Sequence, residues 1–126
     1  MAPRPPLELL RIVSKPAGDG VAEIALTGEI DLSTTPQLDA SLNEAFSPPK
    51  PKLVLLDMSG VQFLASAGMA SLLRARDQAR CDGVLLRLCA LQQPVRRSLS
   101  LIGLDHELVI RESVEVARQD WVGEVS

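Results

Sequence analysis

Aromatic side chains are nearly missing from this sequence: tyrosine is absent, and Phe46, Phe63 and Trp121 are the whole complement. Proteins that hold single-stranded nucleic acid stack bases on several aromatic faces, and three scattered rings cannot supply such a platform. Positive charge is sparse as well. The 13 Lys and Arg residues stand against 16 Asp and Glu, for a net charge of −3, and they are dispersed along the chain. The basic stripe that grips a phosphate backbone is lacking, so nucleic acid is not an expected partner. Histidine occurs once, at His106. One imidazole cannot build a His-rich zinc site, and neither metal nor cofactor is expected. A Ser-His-Asp triad would have to use this same residue, flanked by Asp105 and Glu107 in an expected surface loop. The glycine patterns of phosphate-binding loops and the G-x-S-x-G elbow of serine hydrolases do not occur. No apolar run approaches the ~18 residues of a membrane span, and MAPRPPLELL has no secretory pattern, which points to the cytoplasm and away from membranes. Cys81 and Cys89 read as reduced thiols in a chain with an ample core, a structural disulfide being the lesser alternative.

What is abundant is aliphatic. Hydrophobic residues make up 46% of the 126 residues, enough for one domain over 1–126 that folds without metal or disulfide staples. Its core is expected at about 7–121, with short flexible ends. Leu7 to Val13 and Val21 to Leu26 read as hairpin partners joined by the turn residues KPAGDG. Gly28-Glu29-Ile30-Asp31 reads as a turn. Ser33-Thr34-Thr35-Pro36 then announces a helix, with a hydroxyl cap and a first-turn proline ahead of Leu38, Leu42 and Ala45 at helical spacing. Ser47-Pro48-Pro49-Lys50-Pro51 must end it.

Leu53 to Leu56, closing on Asp57, reads as a strand buried on both faces, with Gly60 as its breaker. From Ser66 the residues Met69, Leu72, Leu73 and Ala79 are helical, and Cys81-Asp82-Gly83 supplies the stop. A strand over Val84 to Leu88, a helix over Val95 to Ile102 ended by Gly103, a short strand over Leu108 to Ile110 and a closing amphipathic helix over Ser113 to Trp121 follow. The order β-β-α-β-α-β-α-β-α belongs to an α/β domain with a mixed or largely parallel sheet, whose functional loops lie at strand carboxyl ends.

The stretch from Leu53 to Leu73 stands out: a buried strand, a short turn, the apolar pair Phe63-Leu64, then Ala65-Ser66-Ala67-Gly68 opening a helix. Together with Gly28-Glu29-Ile30-Asp31, the strand ending in Asp57, and Ser98 to Leu104 before the last strand, it resembles the STAS domains of bacterial anti-sigma-factor antagonists over nearly the whole chain. The resemblance implies a mixed central sheet with helices packed mainly on one side. It also implies a non-catalytic role: the antagonist binds an anti-sigma factor that is also a serine kinase, freeing a sigma factor for transcription of stress genes, and is switched off when the kinase phosphorylates it. A serine phosphatase reverses the switch. In the family's D-S-x-G stretch the matching residues are Ala65 to Gly68, so Ala65 replaces the acid, Ala67 stands where many members have a second hydroxyl, and Ser66 is the phosphoacceptor candidate.

Partner-binding candidates by the same resemblance are Asp31, Ser33, Thr34, Ala65, Ser66, Ala67, Gly68 and Met69. Plainer roles stand beside these. Ser66 reads equally as a helix N-cap, Asp31 as an Asx-turn residue, Asp57 as structural, Arg74 and Arg76 as a solvated helix face, and Gly68 as a close-approach residue. Rival functions are a STAS scaffold without phosphorylation, which would include a small-ligand sensor, a small hydrolase or transferase using Ser66 as nucleophile, and a redox switch through Cys81 and Cys89.

Overall fold

A computed structural model describes residues 9–15 and 19–125, so Leu7, Glu8 and the centre of the expected KPAGDG turn lie outside the described residues. The elements are β1 (Leu10–Lys15), β2 (Val21–Ile30), α1 (Thr35–Ala45), β3 (Leu53–Leu64), α2 (Ser66–Asp82), β4 (Leu85–Cys89), α3 (Gln93–Leu101), a 3-10 turn at Leu104–His106, β5 (Ile110–Arg111) and α4 (Val114–Val125). The strands lie in the order β1-β2-β3-β4-β5, with β1 antiparallel to β2 and every other neighbouring pair parallel. This is the α/β class and the element order read from the sequence.

The continuous apolar run in β3 is explained by two covered faces. Val54, Leu56 and Met58 join the larger core with Leu38 and Leu42 of α1, Leu72, Ala75 and Ala79 of α2, and Val95 and Leu99 of α3. Leu53 and Leu55 point the other way, to Ala117, Val114 and Trp121 of α4. Three helices therefore pack on one side and one on the other, as the resemblance implied. Residues 53–56 are fully buried, and each such aliphatic side chain contributes roughly 1.5–3 kcal/mol on leaving water.

Two glycines read as turn or breaker lie inside strands. β2 runs through Gly28 to Ile30, and β3 runs through Gly60 to Leu64. The register explains both. Ala25 pairs with Asp57 but Thr27 with Gly60, and Gly28 pairs with Val61 but Glu29 with Phe63, so β3 carries two extra residues as bulges. At Gly60 a Cβ would lie 2.6 Å from Thr27 Oγ1 and 2.9 Å from the Leu26 carbonyl; the glycine marks close backbone approach, not termination. Gly28 has φ +119°, and a Cβ there would lie 2.1 Å from the Leu9 carbonyl oxygen, which accepts the Glu29 amide at 2.7 Å. The extra residue Ser59 keeps its backbone groups paired, its amide to Asp57 Oδ1 at 3.0 Å and its carbonyl to Gln92 Nε2 at 2.7 Å.

Smaller shifts have local causes. Gly83 at φ +69° ends α2 and Gly103 at φ +78° follows α3, both as expected. The last strand starts at Ile110 because the Leu108 amide is taken by the Leu104 carbonyl at 3.2 Å, closing the 3-10 turn. Ser113 is the cap of α4 and not its first residue: its hydroxyl accepts the Val116 amide at 3.1 Å.

Cys81 is exposed on α2 and Cys89 is buried among the α4-side residues, so the sheet separates the two free thiols. Burial, reinforced by Asp57 and Glu23, pushes the Cys89 thiol up to about 12. A thiol reagent at neutral pH is expected to modify one cysteine of the native chain quickly, Cys81, and Cys89 only on unfolding; rapid labelling of both by mass spectrometry would contradict this packing. Gly28→Ala is expected to cost about 3 kcal/mol, from left-handed strain plus the collision with Leu9. Gly83→Ala, with nothing within 4 Å of its Cβ position, should cost only about 1 kcal/mol. Urea midpoints of the two variants measure the difference.

Candidate functional site

Because β2 and β3 are parallel neighbours, the segments that leave their carboxyl ends fall side by side. Ile30 pairs with Leu64, and one residue on, the Ala65 amide donates to the Ile30 carbonyl at 2.8 Å. That bond joins the β2–α1 loop to the start of α2.

Asp31 organises the loop. Its Oδ1 accepts the Ser33 hydroxyl at 2.6 Å, the Ser33 amide at 2.9 Å and the Thr34 amide at 3.1 Å. The Asx-turn reading is therefore observed. The Ser33 hydroxyl, followed by the Ser33 and Thr34 amides and opposed by partial desolvation, holds the Asp31 carboxyl below its ordinary value. A carboxyl whose folded value is lowered stabilises the fold above the ordinary carboxylate range and loses that contribution as pH falls through the lowered value. The loop is thus held at neutral pH and loosened only in acid. Thr34 is the N-cap residue of α1, but its hydroxyl turns back toward β2 and makes no cap bond to the helix.

At α2 the cap is Ala65, with φ −83° and ψ 169°, and it has no side-chain oxygen. Ser66, expected as the cap, sits one position further in, because the Ala65 carbonyl already accepts the Met69 amide at 3.1 Å. The Ser66 side chain is exposed, and among the described residues it has no hydrogen-bond partner in the chain. Gly68 is dictated by packing: a Cβ would lie 2.4 Å from Ile30 Cγ2 and 2.7 Å from Leu64 Cδ1.

Of the eight partner-binding candidates, Ser33 and Ser66 are exposed, and Asp31, Ala65 and Ala67 are half-buried. Thr34, Gly68 and Met69 are buried and support the others from beneath. Two large apolar residues at the same end were not singled out as contacts: Leu32, 79% exposed, and Phe63, 52% exposed. Their signal was available, since Leu32 is an apolar residue between Asp31 and Ser33 and Phe63 follows exposed Gln62 at the strand's end. The other candidates are engaged within the fold. Arg74 reaches Asp39 of α1 at 3.2 Å, and Arg76 pairs with Asp77 at 2.9 Å and with Glu107 at 2.6 Å. His106 lies in the 3-10 turn with its side chain 87% exposed, 3.9 Å from Asp105. Among the described residues no group of three or more His, Cys, Asp or Glu is arranged to hold a metal, and no helix is long and apolar enough to cross a membrane.

An exposed hydroxyl at a helix start, beside an acid-organised loop at the carboxyl ends of two parallel strands, defines an α/β module that presents a surface. The chain belongs to the STAS domain family, whose family model matches residues 13–117. The anti-sigma-F factor antagonist RsfB of Mycobacterium tuberculosis is 33% identical over 87 residues, which cover 69% of this chain and 70% of that protein. An anti-sigma factor antagonist from Mycobacterium paratuberculosis has the same fold, with a TM-score of 0.77 and 24% identity over 88% of this chain and 92% of that one. The antagonist SpoIIAA in its unphosphorylated form gives a TM-score of 0.76 at 18% identity over 90% and 97% of the two chains. In its phosphorylated form it gives 0.68 at 16% over 87% and 98%.

The uncapped start of α2 is testable by itself. Ala65 already has the extended backbone of a capping residue, so Ala65→Asp is expected to raise stability by about 1 kcal/mol, with the new carboxylate accepting a free first-turn amide. A thermal melt of the variant showing no increase would mean that these amides are satisfied in another way.

Proposed function

We propose that this protein is a cytoplasmic anti-sigma-factor antagonist. It binds an anti-sigma factor through the exposed end formed by Asp31, Ser33, Ala65, Ser66 and Ala67, with Thr34, Gly68 and Met69 beneath, and thereby frees a sigma factor. It catalyses nothing. The anti-sigma factor doubles as a serine kinase that transfers the γ-phosphoryl of ATP to the Ser66 hydroxyl, and a serine phosphatase hydrolyses the ester. The observation that carries this reading is the Ser66 hydroxyl itself, exposed at the first position of α2 and without a partner among the described residues. A hydroxyl needed for the fold would be turned inward, as that of Thr34 is.

The position suits a switch on physical grounds. The first-turn amides of α2 have no side-chain cap, and the positive end of the helix tolerates a phosphate of about −1.5 to −2 charges. The fold survives modification while the partner meets a changed surface. Ala65 favours one alternative, a scaffold that binds without being phosphorylated, because the acid of the family pattern is absent beside Ser66.

Substitution at Ser66 separates the two. Ser66→Ala is expected to bind the partner as wild type does and to take up no phosphate. Ser66→Asp is expected to keep the melting temperature nearly unchanged, since a carboxylate is tolerated in the first turn. Its affinity should fall roughly 100-fold, because an unpaired charge must lose water against a surface shaped for a neutral hydroxyl. Titration calorimetry of the three proteins decides, and a Ser66→Asp variant that binds as tightly as wild type leaves the unswitched scaffold.

A further inference from the structure

We infer that Thr34 is a positioning residue for Ser66, acting through the peptide unit between Ile30 and Asp31. This peptide is held from both ends. Its N–H donates to Thr34 Oγ1 at 2.9 Å, and its C=O accepts the Ala65 amide at 2.8 Å. The single hydroxyl proton of Thr34 goes to the Glu29 carbonyl, its nearest acceptor at 3.0 Å, so one oxygen grips the peptide units on both sides of Ile30. Thr34 is fixed in turn by α1, where its carbonyl accepts the Leu38 amide at 3.2 Å, and by Asp31 Oδ1. The side chain is only 5% exposed. A chain of contacts thus runs from α1 through Thr34 and the Ile30 carbonyl to Ala65, the residue that caps α2 and precedes Ser66.

The energetics follow from burial. Without the hydroxyl, the Asp31 amide and the Glu29 carbonyl lose their partner beneath the loop, and the peptide plane is free to rock about the two bonds flanking it. Rocking turns the Ile30 carbonyl away from the Ala65 amide. The Ile30 side chain still rests on Gly68, so α2 stays docked, but the segment carrying Ser66 loses its backbone tether to the end of β2. A partner that must seat the Ser66 hydroxyl then meets a less ordered segment and gives up part of its binding energy to order it.

The inference rests on Ser66 being the phosphoacceptor, and two measurements on the full chain keep the two ideas apart. The first is amide hydrogen exchange at Ala65, expressed as a ratio to Leu56 in the middle of β3, for wild type, Thr34→Val and Thr34→Ser. Thr34→Val is expected to raise the ratio about tenfold, and Thr34→Ser, which keeps the oxygen, to stay within about twofold of wild type. The second is phosphate uptake at Ser66 from labelled ATP, with an extract of the source cell as the kinase, expected to slow about tenfold in Thr34→Val and to recover in Thr34→Ser. An unchanged exchange ratio in Thr34→Val, or equal acceleration at Ala65 and Leu56, overturns the positioning role. So does a raised ratio with normal phosphate uptake. A wild-type chain that takes up no phosphate overturns the proposed switch instead, while the exchange ratio still decides what Thr34 does to Ala65.

Discussion

The hydrogen bond from the Ala65 amide to the Ile30 carbonyl is the contact on which the end of the sheet that carries Ser66 depends. It brings two segments 35 positions apart in the chain into one surface, and the features around it serve to make it possible. Two bulges lengthen β3 relative to β2 so that the strands finish level, Ile30 against Leu64. Gly60 allows β2 and β3 to approach at the first bulge, Gly28 admits the Leu9 backbone on the opposite edge of β2, and Gly68 lets α2 settle onto Ile30 and Leu64. Each of these glycines is explained by a named atom that a side chain would strike.

The same end shows a separation of tasks between buried and exposed hydroxyls. Thr34 spends its oxygen inside, on two backbone groups, whereas Ser66 leaves its oxygen to solvent. The acid Asp31 is likewise committed, its Oδ1 occupied by Ser33 and Thr34, so its charge belongs to the loop. At the same end of the sheet the Ser66 hydroxyl, the half-buried Ala65 and Ala67, and the exposed Leu32 and Phe63 are left facing solvent.

The element order and most of the core were legible because the aliphatic pattern is strong: 53–56 could only be a strand covered on both faces, and Leu38, Leu42, Leu72 and Ala79 repeat at helical spacing. The glycines at 28 and 60 misled because a glycine that stops a strand and one that admits a neighbouring backbone are identical in sequence; only the register distinguishes them. Ser66 was legible as an exposed hydroxyl at a helix start but not as a first-turn residue, since cap and first position differ by one peptide and alanine is a poor cap. The inward turn of Thr34 had no sequence signal at all, because a Ser-Thr-Thr run before a proline looks the same whether its hydroxyls face helix, strand or solvent.

The two faces of the sheet combine apolar burial and ion pairs in different proportions, since the larger layer adds Arg74–Asp39 and Arg76–Glu107 to an extensive aliphatic core while α4 has only a small one, and this sets their response to ionic strength. The larger layer, with α1, α2 and α3, rests on closely packed aliphatic side chains. α4 rests on a smaller apolar contact around Ala117 and on ion pairs: Arg118 with Asp19 and Glu23, and its Asp120 with Arg111. Dissolved salt shortens the reach of charge to about 8 Å at physiological concentration and to about 3 Å near 1 M, so such exposed pairs weaken as salt rises while apolar burial is left intact. Rising salt therefore weakens the attachment of α4 by a larger fraction than that of the helices on the opposite face, where aliphatic burial anchors the Ser66 end.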